Sequence, residues 1–270
     1  MTNIFRVGVF SALAIGLGFG GVVTLAEAAN KTVDSAPALT VSDVDNEIRN
    51  YLLNHPELIR ELQNKLQAQE AEARAKAMKV ALAEVRNGLV AATGEAVAGG
   101  ADADVTIVEF YDVECPFCKA LAPDLERLIK EDTHVKIVFR EFPILGAGST
   151  SAAKAEIASQ NQGRFEAFHN ALMADKTPEH SLDEKHIFDI AKSTGLDVEK
   201  LKADIAAPTV DQRIAANREV AAKLSITGTP GLLFIGKNPV NDSVVPGILT
   251  FDALKAKIAE VRQIALNSQK

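Results

Sequence analysis

The chain has 270 residues, 47% of them hydrophobic and 24% charged, with a formal net charge of −7. That length supports one large domain with an appendage or two small domains. The acidic balance, with no basic stripe or aromatic-rich basic segment, excludes nucleic acid or an anionic membrane surface as the main partner.

At the start, one cation, Arg6, precedes an uncharged apolar run from Val7 to Leu25 and then Ala26-Glu27-Ala28. This is the pattern of a secretory signal peptide over residues 1–28. The run approaches the ~20 residues of a membrane span, but its glycines and Ala-x-Ala ending favour cleavage after Ala28. Loss of Arg6 and Glu27 together leaves the net charge unchanged. The expectation is an exported, periplasmic protein with soluble protein partners. Residues 29–40 lack periodicity and read as a flexible segment.

Helical patterning follows. Ser42 or Asp43 is positioned to cap a helix carrying Val44, Ile48, Tyr51 and Leu52 on one face, and Asn54-His55-Pro56 interrupts it. A second helix is predicted from about Glu57 to about Ala92. Ile59, Leu62, Leu66 and Ala73 keep a heptad-like spacing, and Met78, Leu82, Val85 and Leu89 continue on a shifted stripe. Such a helix would be on the order of 50 Å long, more than a narrow apolar stripe secures in isolation. Residues 41–92 therefore read as a homo-oligomerisation region, with packing against the chain's own domain as the alternative. Residues 93–104, TGEAVAGGADAD, read as a linker.

VTIVEFYDV, residues 105–113, is apolar on both faces, as a buried strand requires. Cys115 comes directly after it, with Pro116 in the first turn of a helix running to about Lys130. Residues 135–142 form a second predicted strand. A helical insertion of about 147–223 follows, then strands at 232–236 and 243–246 and a terminal helix at 251–266. The predicted topology is β-α-β, helical insertion, β-β-α.

The two cysteines of the chain, Cys115 and Cys118, lie three positions apart. A structural staple is the alternative to redox cycling. Closing so small a ring stabilises a fold by only about 2 kcal/mol before strain, against about 3 for a fifteen-residue loop. Redox cycling accounts for the spacing better. A helix N-terminus favours a thiolate, so Cys115 is expected to be an exposed nucleophile of lowered pKa. Cys118, one turn later, is expected to be a more buried resolving thiol of nearly ordinary pKa. Glu109, a carboxylate in an apolar strand, is expected to have a raised pKa and to exchange a proton with Cys118.

EFYDVECPFC at 109–118 resembles the active-site strand and turn of the DsbA family within the thioredoxin superfamily. REFPILG at 140–146, RFEAFHNALM at 164–173 and GTPGLLFIG at 228–236 extend the likeness in order, toward the branch containing ScsC and Com1-like proteins. The resemblance covers about residues 42–262. It implies an α/β thioredoxin-like fold over 105–266, preceded by a helical oligomerisation segment. It also implies a redox disulfide between Cys115 and Cys118 around the Pro116-Phe117 dipeptide. Pro230 would be a cis-proline facing the cysteines, with Thr229 setting an edge to which an extended substrate segment adds. Glu109 matches the acid beneath the DsbA active site. Cysteine-containing exported proteins are the implied substrates, with a membrane redox partner and a homo-oligomer, a trimer by resemblance. No cofactor or metal is implied.

Asp112 and Glu114 read as solvated loop residues, and Glu114 near the sulfur would oppose a thiolate. The five histidines have no zinc-ligand spacing with the cysteines, and His169 reads as a packing or hydrogen-bonding residue. GAGSTSAAKAE at 146–156 lacks the glycine-lysine ending of a phosphate loop, and Ser149, Thr150 or Ser151 is expected to cap a helix there. Three functions fit: an oligomeric disulfide isomerase or reductase, a monomeric DsbA-like oxidase, and a copper-binding resistance protein using the cysteines as ligands.

Overall fold

The computed structural model describes residues 40–267, with side chains through Arg262. The signal-peptide reading of residues 1–28 and nearly all of the flexible segment 29–40 lie outside the described residues. The chain divides into two units, one ending at Gln63 and one beginning at Asn64. No helix among the described residues is long and apolar enough to cross a membrane.

The first unit holds α1 (Val41–Asn54) and the opening turns of α2 (Pro56–Ala91). Thr40, not Ser42 or Asp43, is the N-cap. Its hydroxyl accepts from the Asp43 amide at 3.2 Å, while the Asp43 carboxylate accepts from the Thr40 amide at 3.0 Å, closing a capping box. No residue of α1 is buried. Val44, Ile48, Tyr51 and Leu52, and Ile59 and Leu62 after the Pro56 restart, all meet solvent.

The second unit is built on a five-stranded sheet in the order β1-β3-β2-β4-β5. Its strands are β1 (Ala96–Gly99), β2 (Val105–Tyr111), β3 (Val135–Glu141), β4 (Gly231–Ile235) and β5 (Ser243–Pro246). β2 and β3 run parallel, joined by α3 (Pro116–Glu131), and the other pairs are antiparallel. Four longer helices of the insertion, α4 (Ala147–Ser159), α5 (Phe165–Ala174), α6 (Glu184–Ser193) and α8 (Pro208–Lys223), and the short α7 (Val198–Ile205), lie between β3 and β4. α9 (Phe251–Asn267) closes the chain.

Two expectations are corrected here. The stretch 93–104 is not only a linker: Ala96–Gly99 pairs with Lys136–Phe139 as the edge strand. Its alternation is too short, and too rich in alanine and glycine, to register as a strand. The C-terminal part of α2 packs on the chain's own domain, the alternative to an oligomerisation role. Leu82 and Leu89 are buried, with Met78 and Val85 packed beside them, against Val108, Phe110, Val138, Leu233 and Ile235 on one face of the sheet. The shifted stripe is thus the core-facing stripe of the second unit. The opposite face carries Ile107, Tyr111, Ile137 and Phe234, covered by Leu121, Leu125, Phe168 and Leu254 from α3, α5 and α9.

Candidate active site

Both cysteines sit where β2 hands over to α3. Cys115 is the N-cap of α3 with Pro116 at the first helical position, where the missing proline N–H costs no helical hydrogen bond. Cys118 follows one turn later, fully buried, and both thiols are free. Cys115 is only 4% exposed, so it is not the open nucleophile its position predicted. The backbone of the segment before β4 reaches it: in its thiol form Cys115 Sγ donates to the Thr229 carbonyl at 3.3 Å. Phe117, between the cysteines, is 58% exposed.

The two sulfurs have opposite acidities. A hydrogen bond from Cys118, with further ones from the Thr229 side chain and from the Cys118 and Phe117 amides, outweighs burial and lowers Cys115 to about 6. Cys118 is pushed well above its ordinary value by burial, by its hydrogen bond to Cys115 and by the nearby charge of Glu109. The nearly ordinary acidity expected of Cys118 is therefore corrected. Its sulfur lies in the core, where no solvent supports a second thiolate.

Glu109 shares the face of β2 that carries Ile107 and Tyr111, toward α3, and is 1% exposed. Burial above all, then the charges of Glu156 and Cys115, raise its carboxyl to about 8. Its Oε1 has no hydrogen-bond partner. The Thr229-Pro230 peptide is cis and leads directly into β4, whose first residue, Gly231, pairs with Phe110. Strand register thus brings Glu109, Thr229 and Pro230 to the same end of the sheet as the cysteines.

Asp112 and Glu114 are buried rather than solvated, because both carboxylates are occupied by internal donors. Asp112 accepts from the Glu114 amide at 2.9 Å and from the Ile144 and Leu145 amides at 2.8 and 3.0 Å. Glu114 accepts from the Ser149 hydroxyl at 2.9 Å and the Leu182 amide at 3.1 Å. The acids beside Cys115 therefore fasten the active-site turn to the helical insertion. Ser149, Thr150 and Ser151 lie inside α4, whose N-cap is Gly146, and none of them caps it. Gly148 is there for close approach, since a β-carbon would run into the Leu182 carbonyl and meet Glu114 Oε2 at 3.0 Å.

Sequence reasoning missed a buried polar cluster behind Glu109. Glu156 Oε2 accepts from the Tyr111 hydroxyl at 3.0 Å, and Glu156 Oε1 lies 2.9 Å from His169 Nδ1. The His169 ring stacks on Phe165 and meets Phe139 and Tyr111 edgewise or tilted. Its hydrogen-bonding role was legible; its partner, 13 residues earlier in a polar-looking segment, was not. Among the described residues no group of three or more His, Cys, Asp or Glu side chains is arranged to hold a metal ion.

The sequence matches the family model described as DSBA-like thioredoxin domain over residues 106–259, and that of the copper resistance protein ScsC N-terminal domain over residues 42–73. A thioredoxin-like oxidoreductase from Silicibacter pomeroyi superposes with a TM-score of 0.60 at 36% identity, over 66% of this chain and 98% of that one. The catalytic domain of Proteus mirabilis ScsC superposes with a TM-score of 0.59 at 28% identity, over 67% of this chain and 97% of that one. Disulfide bond formation protein D of Bacillus subtilis is 30% identical over 61% of this chain and 76% of its own length. The chain also matches the Na(+)/H(+) antiporter NhaA 3 of Salinispora tropica, but spans only 22% of that protein. Since the first family match covers more than half of the sequence and includes both cysteines, the chain belongs to the DsbA-like, thioredoxin-fold family of thiol-disulfide oxidoreductases.

Proposed function

We propose that the protein is a periplasmic, oligomeric disulfide isomerase or reductase acting on cysteine-containing exported proteins. Cys115 is the reacting thiol. Its thiolate attacks a substrate disulfide, one substrate sulfur leaves as thiolate, and a mixed disulfide forms. Cys118 then attacks Cys115: its S–H proton passes to Glu109, the Cys115–Cys118 bond forms, and the second substrate thiolate departs. In the isomerase cycle the mixed disulfide is instead resolved by another substrate cysteine, and Cys115 leaves unchanged. The lowered pKa of Cys115 suits this exit, because lower-pKa thiols leave faster. Thr229 and Pro230 offer a main-chain edge for an extended substrate segment, and a membrane redox protein resets the cysteines.

The observation that carries the oligomeric reading is the apolar stripe of the first unit. Val44, Ile48, Tyr51, Ile59 and Leu62 are all exposed in a helical pair that buries no residue of α1. Matching the ScsC N-terminal domain over 42–73 supports a self-association role for it. Several active sites on one assembly would raise the local concentration of thiols around a misfolded substrate. Export rests on the pattern of residues 1–28.

Light scattering on the full chain tests this reading. Ile48→Lys with Leu62→Glu should convert an oligomer to a monomer, losing refolding of a scrambled-disulfide substrate while retaining oxidation of a simple dithiol. A parent chain that is monomeric at micromolar concentration would leave the monomeric oxidase as the better account. The same preparation titrated with Cu(I) checks the copper reading: tight binding without exchange activity would replace both.

A further inference from the structure

Behind Glu109 lies a cavity of about 30 Å3, bordered by Leu125, Glu126, Phe139, His169 and Asn170. That is room for one water, which needs about 10–15 Å3 of such space and polar partners. Glu109, whose Oε1 has no hydrogen-bond partner, and His169 both line it. The cavity extends along α3 past Ala122 and Leu125, away from the cysteine turn, to the exposed acids Glu126 of α3 and Glu166 of α5.

We propose that His169, held by Glu156, positions a proton for Glu109 and passes it through this cavity toward solvent. The inference rests on Glu109 being the acceptor of the Cys118 proton. His169 Nδ1 is engaged by Glu156 at 2.9 Å, so Nε2 is the nitrogen left to exchange. When Cys118 attacks Cys115, the proton leaves the Cys118 sulfur for Glu109. At pH 7 a carboxyl of pKa about 8 is mostly protonated, so before each such transfer Glu109 first gives up its own proton across the cavity to His169, which releases one past Glu126 or Glu166 and leaves the carboxylate ready to accept. The proton transfers carry no electrons; the electron pair of the broken Cys115–substrate bond leaves with the substrate thiolate as the Cys115–Cys118 bond forms. Glu156 holds the ring through Nδ1 and also bears electrostatically on Glu109. Other groups bear on the same charge: Cys115 and Cys118 from the active-site turn, Tyr111 on β2, and Glu141 on β3, which faces Glu156. Neither cysteine lines the cavity, which reaches Glu109 from the side of α3 and α5.

The test is the lifetime of the mixed disulfide formed by reduced protein and glutathione disulfide, followed by acid quench and mass spectrometry from pH 6 to 9. His169→Asn keeps a donor for Glu156 but cannot carry a proton onward. It should lengthen that lifetime about tenfold at pH 7, below the roughly hundredfold minimum of a direct general acid-base group because His169 acts through Glu109, and leave the Cys115 titration in place. Glu156→Gln should do the same, and it decides the question if the first variant does not fold. Parental lifetimes across the pH range overturn the relay, as does a slowed step accompanied by a displaced Cys115 titration, which marks a packing defect. Glu109→Gln separates the two layers: parental lifetimes there sink the proton-acceptor reading itself, whereas slowing there but not at His169 sinks only the relay.

Discussion

Titrating the reduced protein examines the acidity of Cys115 directly. With a pKa of about 6, roughly nine-tenths of Cys115 is thiolate at pH 7, against about one in a hundred at the ordinary value of 9.0. The thiolate population thus rises about ninety-fold. Nucleophilicity falls as pKa falls, with a Brønsted slope of about 0.4–0.5, so three pH units of acidity remove about twenty-fold per thiolate. The net gain in attack is only about four-fold, and the main benefit is in departure from mixed disulfides. Thiolate absorbance near 240 nm should show one transition centred near pH 6, absent in Cys115→Ser, and no second transition up to pH 9 because Cys118 is raised. A midpoint of 8 or above, or an unchanged transition in Cys115→Ser, would refute the reasoning. The sign for stability follows. The folded pKa lies below the unfolded one, so the thiolate stabilises the reduced fold fully above about pH 9, and that contribution is lost as pH falls through about 6.

Cys118→Ser should accumulate mixed disulfides with protein substrates, visible on non-reducing gels, whereas Cys115→Ser should form none; equal trapping by both would reverse or dissolve the assigned roles. Leu89→Ala should cost about 2–5 kcal/mol in urea denaturation, the range for a buried leucine. A value near zero would return the end of α2 to the surface. Asp112→Ala strips acceptors from three backbone amides and should cost about 3 kcal/mol or more, since each buried unpaired donor costs about 1–3. A loss below 1 kcal/mol would show the Ile144 and Leu145 amides finding other partners.

The strand–cysteine–helix junction was legible because three independent local signals coincide there: an apolar β-branched run, a proline at the first helical position, and the cysteine spacing. The cis geometry before Pro230 followed only through family likeness, since a lone Thr-Pro reads more readily as an ordinary turn. What escaped was long-range. The burial of Asp112 and Glu114 depends on amides of residues 144, 145 and 182, which no local pattern announces. The two stripes of α2 were visible as a phase shift, but nothing in the sequence said that the second stripe faces a sheet whose strands lie far along the chain. Cys115 illustrates the same limit. Its place at the helix start was readable, but its cover comes from Thr229, 114 residues away.

Asp112 and Glu114 have one more consequence. Asp112 is held by three backbone amides, and Glu114 by an amide and a hydroxyl, all fixed inside the protein. The groups that hold the Cys115 thiolate are likewise short-range donors. Dissolved ions screen exposed charges over about 8–10 Å at physiological ionic strength but penetrate little into such a setting. The acidity of this site is therefore insulated from ionic strength: its titration midpoint should be the same in dilute buffer and in molar salt, even as salt weakens any charged substrate's approach.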